Sequence, residues 1–440
     1  MKINALFAII FLVAATVVVC AEDMVLDLPG AINYAIAHNR TLQIASYDEQ
    51  SAQYKIDEAN AGFLPKLSFK GSYSQFGNIP VSTIQFDPTS PPITLQTQPD
   101  KVSSLGLSIA QPLYTGGLIT NSYRLSRLGR DMAKDKVQST RTDLVRQVKE
   151  AYYGILLARE LIDVSEESIS VAEAHLKVAQ ARYDVGLASS YDVLRGEVQV
   201  ANLRPALINM QNALDTSREA LGLLLGLDAN QTVDAKGELA LEPFGTALED
   251  CLTKALANRP ELTMLRRNEE IAERSIAIAR AGLYPKLYLA GGYTHQLNDY
   301  SLGVSFSPAE WSDIWQGTLS LSWDLFDSWA ASSRIKQAQV AKDQARSNRE
   351  QLEQVIRFEV ENSWRSLKAA EESVKSQGKN VENAREGMRI AEARYREGLM
   401  QSVDVMDAEL ALNSAQTNYY QSIYSYEVAL ARLLKAMGEE

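Results

Sequence analysis

Cysteine is nearly missing from this chain. Only Cys20 and Cys251 occur, and Cys20 lies in a leading apolar stretch, so the rest carries one thiol and no internal disulfide can staple it. Histidine is almost as scarce. His38, His175 and His295 fall in different segments with no Cys or carboxylate at ligand spacing, which leaves no metal site to read. Neither a phosphate-binding glycine loop nor a serine nucleophile elbow is present. No constellation for catalysis remains, so the chain reads as a non-enzyme and no cofactor is implied. Positive charge is in deficit as well: 44 Lys and Arg against 55 Asp and Glu give a net charge of −11, which disfavours nucleic acid or any other polyanion as partner. Beyond the first twenty residues no apolar run reaches about 18, so no helix is expected to cross a membrane.

The leading segment is Lys2, an apolar run from Ala5 to Val19, then Cys20-Ala21-Glu22-Asp23. This is the pattern of a secretory signal peptide spanning residues 1–21, cut after Ala21. A lipoprotein cut before Cys20 is the alternative, and Val19 stands against it where a small residue is expected. An exported chain without a helical anchor is either soluble or inserted as strands.

What is present is present twice. Residues 178–199 read VAQARYDVGLASSYDVLRGEVQ and residues 390–411 read IAEARYREGLMQSVDVMDAELA, aligned without a gap. The earlier AGFLPKLSFKGSY at 61–73 likewise pairs with AGLYPKLYLAGGY at 281–293, and AIAHNRTL with ALANRPEL. Repeat 1 therefore covers about 22–228 and repeat 2 about 245–440, one duplicated domain rather than two or three unrelated ones.

After each PKL the period becomes two. Leu67, Phe69, Gly71 and Tyr73 alternate with Lys66, Ser68, Lys70 and Ser72, and Leu287, Leu289 and Tyr293 repeat the pattern. A second strand follows in each half, with Leu105, Leu107, Ile109 and Leu113 apolar in one and Trp315, Leu319, Leu321, Trp323 and Leu325 in the other. The four strands are expected at about 66–76, 103–114, 286–297 and 314–326. One apolar side and one small, polar side suit a barrel facing lipid outward and water inward; a sandwich or a sheet over a soluble core is the alternative. Gly77 to Val102 holds five prolines and reads as an exposed loop, and its counterpart, Asn298 to Ile314, is shorter.

Leu118 to Val185 and Trp329 to Glu397 contain no proline, and each would make a helix about 100 Å long. Ile162, Ile169, Ala172, Leu176, Ala179 and Tyr183, matched by Val374, Val381, Ala384, Met388, Ala391 and Tyr395, step by threes and fours as a coiled-coil seam does. Helices at Ser190 to Leu225 and Ser402 to Met437 return along them, the first expected to kink at Pro205. Shorter helices precede each strand pair, at Leu28 to Ala61 and Ala247 to Ala281. Four strands cannot close a barrel, so the chain must oligomerise to hide its sheet edges.

The doubled AGxxPKL strand starts, the RYxxGL tips and the VDVMDAE segment at 403–409 resemble the TolC-like outer-membrane efflux proteins, over essentially the whole mature chain. The resemblance implies a mixed α and β membrane protein. It forms a homotrimer whose strands make a 12-stranded β-barrel in outer-membrane lipid, continued by a long α-helical periplasmic barrel. It also implies an equatorial layer, a periplasmic adaptor (membrane fusion) protein and an inner-membrane transporter as partners. The chain stops at Glu440 without the C-terminal extension of some members, and Met400 stands where some relatives carry a basic residue.

Asp192, Asp404 and Asp407 are the candidate gate residues. Asp192 and Asp404 fall in first helical turns after Ser190 and Ser402, where the dipole alone favours a carboxylate, but Asp407 is one turn further on the face of Asp404. By resemblance the Asp404 and Asp407 pair lines the periplasmic aperture, where threefold repetition would attract cations; a solvated helix face is the other reading. Val185, Gly186, Leu187, Gly398 and Leu399 form the tips. Their glycines would stop helices and their leucines either pack across each hairpin or meet an adaptor. A passive exit duct for efflux or type I secretion follows; the alternative is a coiled-coil spacer or adhesin anchored by strands without a pore.

Overall fold

The computed structural model describes residues 24–440 apart from 86, 97, 229–230, 242 and 300–310; the signal peptide expected at 1–21, with Cys20, lies outside the described residues. Its elements come in matched pairs. Short helices α1 (Leu28–His38) and α2 (Arg40–Ala61) correspond to α5 (Leu248–Asn258) and α6 (Pro260–Arg280). The strands β2 (Lys66–Gln75) and β5 (Lys101–Tyr114) correspond to β7 (Lys286–Asp299) and β8 (Trp311–Ser322). Helices α3 (Leu118–Asp184) and α7 (Ala330–Arg396) have 67 residues each, and α4 (Ser190–Leu225) and α8 (Ser402–Met437) have 36 each. Two short strand pairings were not legible in advance as such: β1 (Met24–Leu26) lies parallel to β6 (Val233–Ala235), and β3 (Val81–Ile84) forms a hairpin with β4 (Ile93–Gln96) inside the proline-rich loop. Contacts divide the chain into two compact units, one of residues 24–42, 141–255 and 358–440, the other of 43–140 and 256–357.

The second unit holds a four-stranded antiparallel sheet in the order β2-β5-β7-β8, so the two halves of the duplication join side by side through β5 and β7. Register follows the hydrophobic alternation. Phe69 faces Leu107, Leu107 faces Tyr293 and Tyr293 faces Trp315, all on the odd-numbered side. That side is bare: Phe69 is 68% exposed, Trp315 81% and Leu321 69%. On the even-numbered side hydroxyls pair across strands, Ser68 with Ser108 and Ser72 with Ser104, both at 2.8 Å. Two positions depart from the expected pattern. Pro112, lacking an N–H, coincides with a register shift before Tyr114, so Leu113 drops out of the alternation. The fourth strand ends at Ser322, leaving Trp323 and Leu325 beyond it, where the Trp323 indole donates to Leu283 O at 3.1 Å. Helical segments of this unit are tied by charge: Arg267 reaches Asp135 at 2.5 Å and Asp131 at 3.5 Å, and Arg349 joins Glu269 at 3.1 Å and Glu353 at 2.7 Å.

The first unit has the larger core. Val148, Tyr152 and Ile155 of α3, Leu221 and Leu225 of α4, Val360 and Leu367 of α7, and Tyr426 and Leu433 of α8 are buried. Helix α4 runs on through Pro205. Around β6 polar groups pair closely: Asp234 binds Arg159 at 2.5 Å and Arg218 at 2.6 Å, and the Tyr152 hydroxyl donates to Lys236 O at 2.5 Å. Burial alone would push the Asp234 carboxyl up, but the hydrogen bonds from Arg218, the Ala235 N–H and Arg159 outweigh it and hold the group below the usual carboxylate range. At the corner between α1 and α2, buried Asn39 accepts from Leu42 N at 3.0 Å, capping α2, and donates to Leu224 O at 2.8 Å near the end of α4. Gly226, in the left-handed conformation at φ 75°, ends α4 against this same corner.

Candidate functional site at the helical tips

Both tips are built on one plan. At the first, Gly186 takes φ 77°, its N–H bonds Tyr183 O at 2.9 Å, and Leu187 N bonds Arg182 O at 2.8 Å. At the second, Gly398 takes φ 76°, bonding Tyr395 O at 3.0 Å, while Leu399 N bonds Arg394 O at 2.9 Å. This paired pattern satisfies the last carbonyls of a helix and needs a residue free to adopt positive φ. The returning helices are then capped one residue earlier than the sequence suggested. Ser189 rather than Ser190 caps α4, and Gln401 rather than Ser402 caps α8.

The caps account for two of the three candidate carboxylates. Asp192 closes a capping box by accepting from Ser189 N at 3.0 Å and from the Ser189 hydroxyl at 2.7 Å, and these bonds hold its carboxyl below the ordinary value. Asp404 accepts from Gln401 N at 3.2 Å in the same way. Asp407 plays no part in the cap; like Asp404 it is exposed. The apolar tip residues are bare, with Leu187 71% and Leu399 74% exposed, so the leucines do not pack across their hairpins. Val185 is equally open at 69%.

The two tips touch through residues that the duplication made identical and the structure uses differently. Arg182 donates to Tyr395 O at 3.0 Å, with its guanidinium 4.9 Å from the centre of the Tyr395 ring. Tyr395 is buried, whereas its counterpart Tyr183 is exposed. Arg182→Ala is expected to release this clamp. Losing a guanidinium–ring contact and a hydrogen bond amounts to about 1–2 kcal/mol, so amide exchange at 394–399 should quicken about tenfold while exchange in the buried middle of α3 stays unchanged.

Sequence reasoning missed Glu409, which aligns with Glu197 in the duplicated segments. Helical spacing places it on the buried face with Val405 and Leu412, and it is 5% exposed with neither carboxyl oxygen hydrogen-bonded. Glu197 is exposed. Glu409 lines a narrow cleft with Ala172, His175, Asp192, Gly196 and Ser402. Burial, with a smaller push from Glu392, raises its carboxyl to about 7. Burial also lowers the His175 imidazole, opposed by Glu392 and assisted by Arg396. The buried carboxyl is thus ready to be neutral in a weakly acidic setting.

A sheet with one bare apolar side, joined to long paired helices that close in two capped tips, defines a strand-inserted channel protein of the outer membrane. The chain belongs to the outer membrane efflux protein family, whose model matches residues 31–227 and 251–439. It is 24% identical over 425 residues to the probable efflux pump outer membrane protein TtgC of Pseudomonas putida, covering 93% of this chain and 82% of that one. To the outer membrane protein TolC of Vibrio cholerae it is 24% identical over 337 residues, 76% of each. Its fold matches the Campylobacter jejuni CmeC outer membrane channel with a TM-score of 0.77 at 17% identity, over 93% of this chain and 85% of that one. None of the described helices is long and apolar enough to cross a membrane; the strands are what enters it.

Proposed function

We propose that this chain is a single duplicated channel domain, three copies of which form the exit duct of a tripartite efflux or type I secretion system. The observation that carries the reading is the sheet: strands β2 and β8 each have a neighbour on one side only, beneath a continuous apolar face. Four strands cannot hide two open edges, whereas three copies supply enough strands for a closed barrel in outer-membrane lipid. The helices would then extend into the periplasm. Val185, Gly186, Leu187, Gly398 and Leu399 would meet a periplasmic adaptor, and energy would come from an inner-membrane transporter. Substrates pass through passively.

In this reading Asp404 and Asp407, repeated by threefold symmetry, line the narrow periplasmic aperture, with Asp192 nearby on α4. The capping bonds fix the backbone that presents Asp404, and Asp407 is left free to face the opening. Single-channel current in planar bilayers tests this. The native protein is expected to give a small, cation-selective conductance that increases several-fold in Asp404→Ala plus Asp407→Ala, since relieving a charged constriction widens and neutralises it together. An unchanged current would reject the gate residues, and absence of current from verified inserted protein would leave a structural spacer.

A further inference from the structure

The charges on the sheet are sorted by side. Its acidic residues, Asp299 and Asp313, both lie on the odd-numbered, apolar side near the loop ends of the strands, and both are paired, Asp299 with Lys101 at 3.5 Å and Asp313 with His295 at 2.6 Å. The even-numbered side of all four strands contains no Asp or Glu. It carries Lys66 and Lys70 on β2 and Lys286 on β7. Opposite them stand Ala110, Gly106 and Ser322, residues too small and too neutral to mask an ammonium group. Among the described residues no carboxylate lies within ion-pair distance of any of the three. In a chain with net charge −11 this is a local reversal of sign.

We propose that Lys66, Lys70 and Lys286 make the strand section of the duct anion-selecting, and that its cargo includes small organic anions bearing carboxylate or phosphate groups. The inference rests on the proposed trimeric duct, which turns the even-numbered side toward the lumen. Threefold repetition then triples a positive set without ion-pair partners, on a wall of mostly small or uncharged residues. Low-dielectric walls lined with one sign of charge concentrate counter-ions and repel co-ions. Lys66 and Lys286 begin their strands directly after Pro65 and Pro285; in the register Lys66 is level with Ala110 and Ala290, so Lys286 is offset from it by four residues along β7, and Lys70 stands about 13 Å further along β2. The tips and the strands therefore act in series with opposite preference: carboxylates at the entry hold the closed duct cation-selective, and the lysines set the preference once the entry is open.

Reversal potentials across a KCl gradient separate the two filters. The opened Asp404→Ala plus Asp407→Ala protein is compared with the same protein also carrying Lys66→Gln, Lys70→Gln and Lys286→Gln, and with a version carrying arginine at those three positions. Trimer formation of each is verified on gels before reconstitution. The opened protein is expected to prefer chloride over potassium by about threefold, the glutamine version to lose the preference, and the arginine version to keep it. Vesicle release of carboxyfluorescein, an anionic dye, should slow in the glutamine version while release of neutral glucose does not. Reversal potentials identical in all three proteins would overturn the lysine assignment and leave the duct standing. No current from any of them, despite verified insertion, would overturn the duct and the assignment with it.

Discussion

Gly226→Ala is expected to destabilise the chain by about 3 kcal/mol or more, the sum of a left-handed backbone imposed on a residue with a Cβ and of a steric collision. Gly226 takes φ 75°, and a Cβ built there would lie 2.6 Å from His38 O and 3.2 Å from His38 C. Those are backbone atoms of the α1–α2 corner that Asn39 holds with two hydrogen bonds, so they cannot yield as the tip of a flexible side chain would. Gly186→Ala provides the control. Its φ is 77°, nearly the same, but nothing lies within 4 Å of the added carbon, so only the conformational penalty of about 1–2 kcal/mol applies. Urea unfolding of the two detergent-solubilised variants, followed by far-ultraviolet circular dichroism, measures the difference. Equal losses would show that the corner relaxes and that the collision contributes nothing.

The second large effect is a pH dependence set by Glu409. Its carboxyl rises from an ordinary value of 4.5 to about 7 in the folded chain, so the folded state holds a proton that the unfolded state releases. Stability is therefore full below about 4.5 and falls as pH rises through 7, by about 3 kcal/mol in all. Glu409→Gln keeps the shape and removes the charge. It is expected to match the native protein at pH 4.5 and to exceed it by about that margin at pH 8, with thermal unfolding as the readout. The groups that share the cleft or its field, His175 on α3, Asp192 on α4 and Glu392 on α7, remain in both proteins, so the difference isolates the Glu409 charge together with its coupling to them. Glu197→Gln, at the exposed matching position, should leave the slope untouched. A native protein with the same slope as Glu409→Gln would refute the assignment.

These two residues also show where sequence reasoning reached and where it stopped. The duplication gave the order of elements, the strand alternation and the bounds of α4 and α8, because each rests on a periodicity that persists over many residues. The cap of α4 was misplaced by one position: Ser189 and Ser190 are adjacent and both chemically able, and only backbone conformation separates them. The short pairing of β1 with β6 joins segments far apart in sequence, and three residues leave no period to detect. Glu409 was the more instructive miss. Its four-residue step from Val405 places it on the buried face, but its identity with Glu197, which is exposed, hides the difference between the copies. Duplication preserves residue types more faithfully than environments, as Tyr183 and Tyr395 repeat.

The matched lengths of the helices bear on what this lineage can change. The connections between paired strands differ in length between the two halves, residues 76–100 against 300–310. Helices α3 and α7 agree to the residue, as do α4 and α8. One residue added within α3 would advance everything beyond it by about 1.5 Å and turn every later side chain by about 100°. Arg182 would then leave the Tyr395 carbonyl, and the first hairpin would overshoot the second. The long helices act as rulers cut to a common length, so divergence can proceed by substitution along their shafts and by insertion at the outer loops, but an insertion in one shaft requires the same insertion in the other.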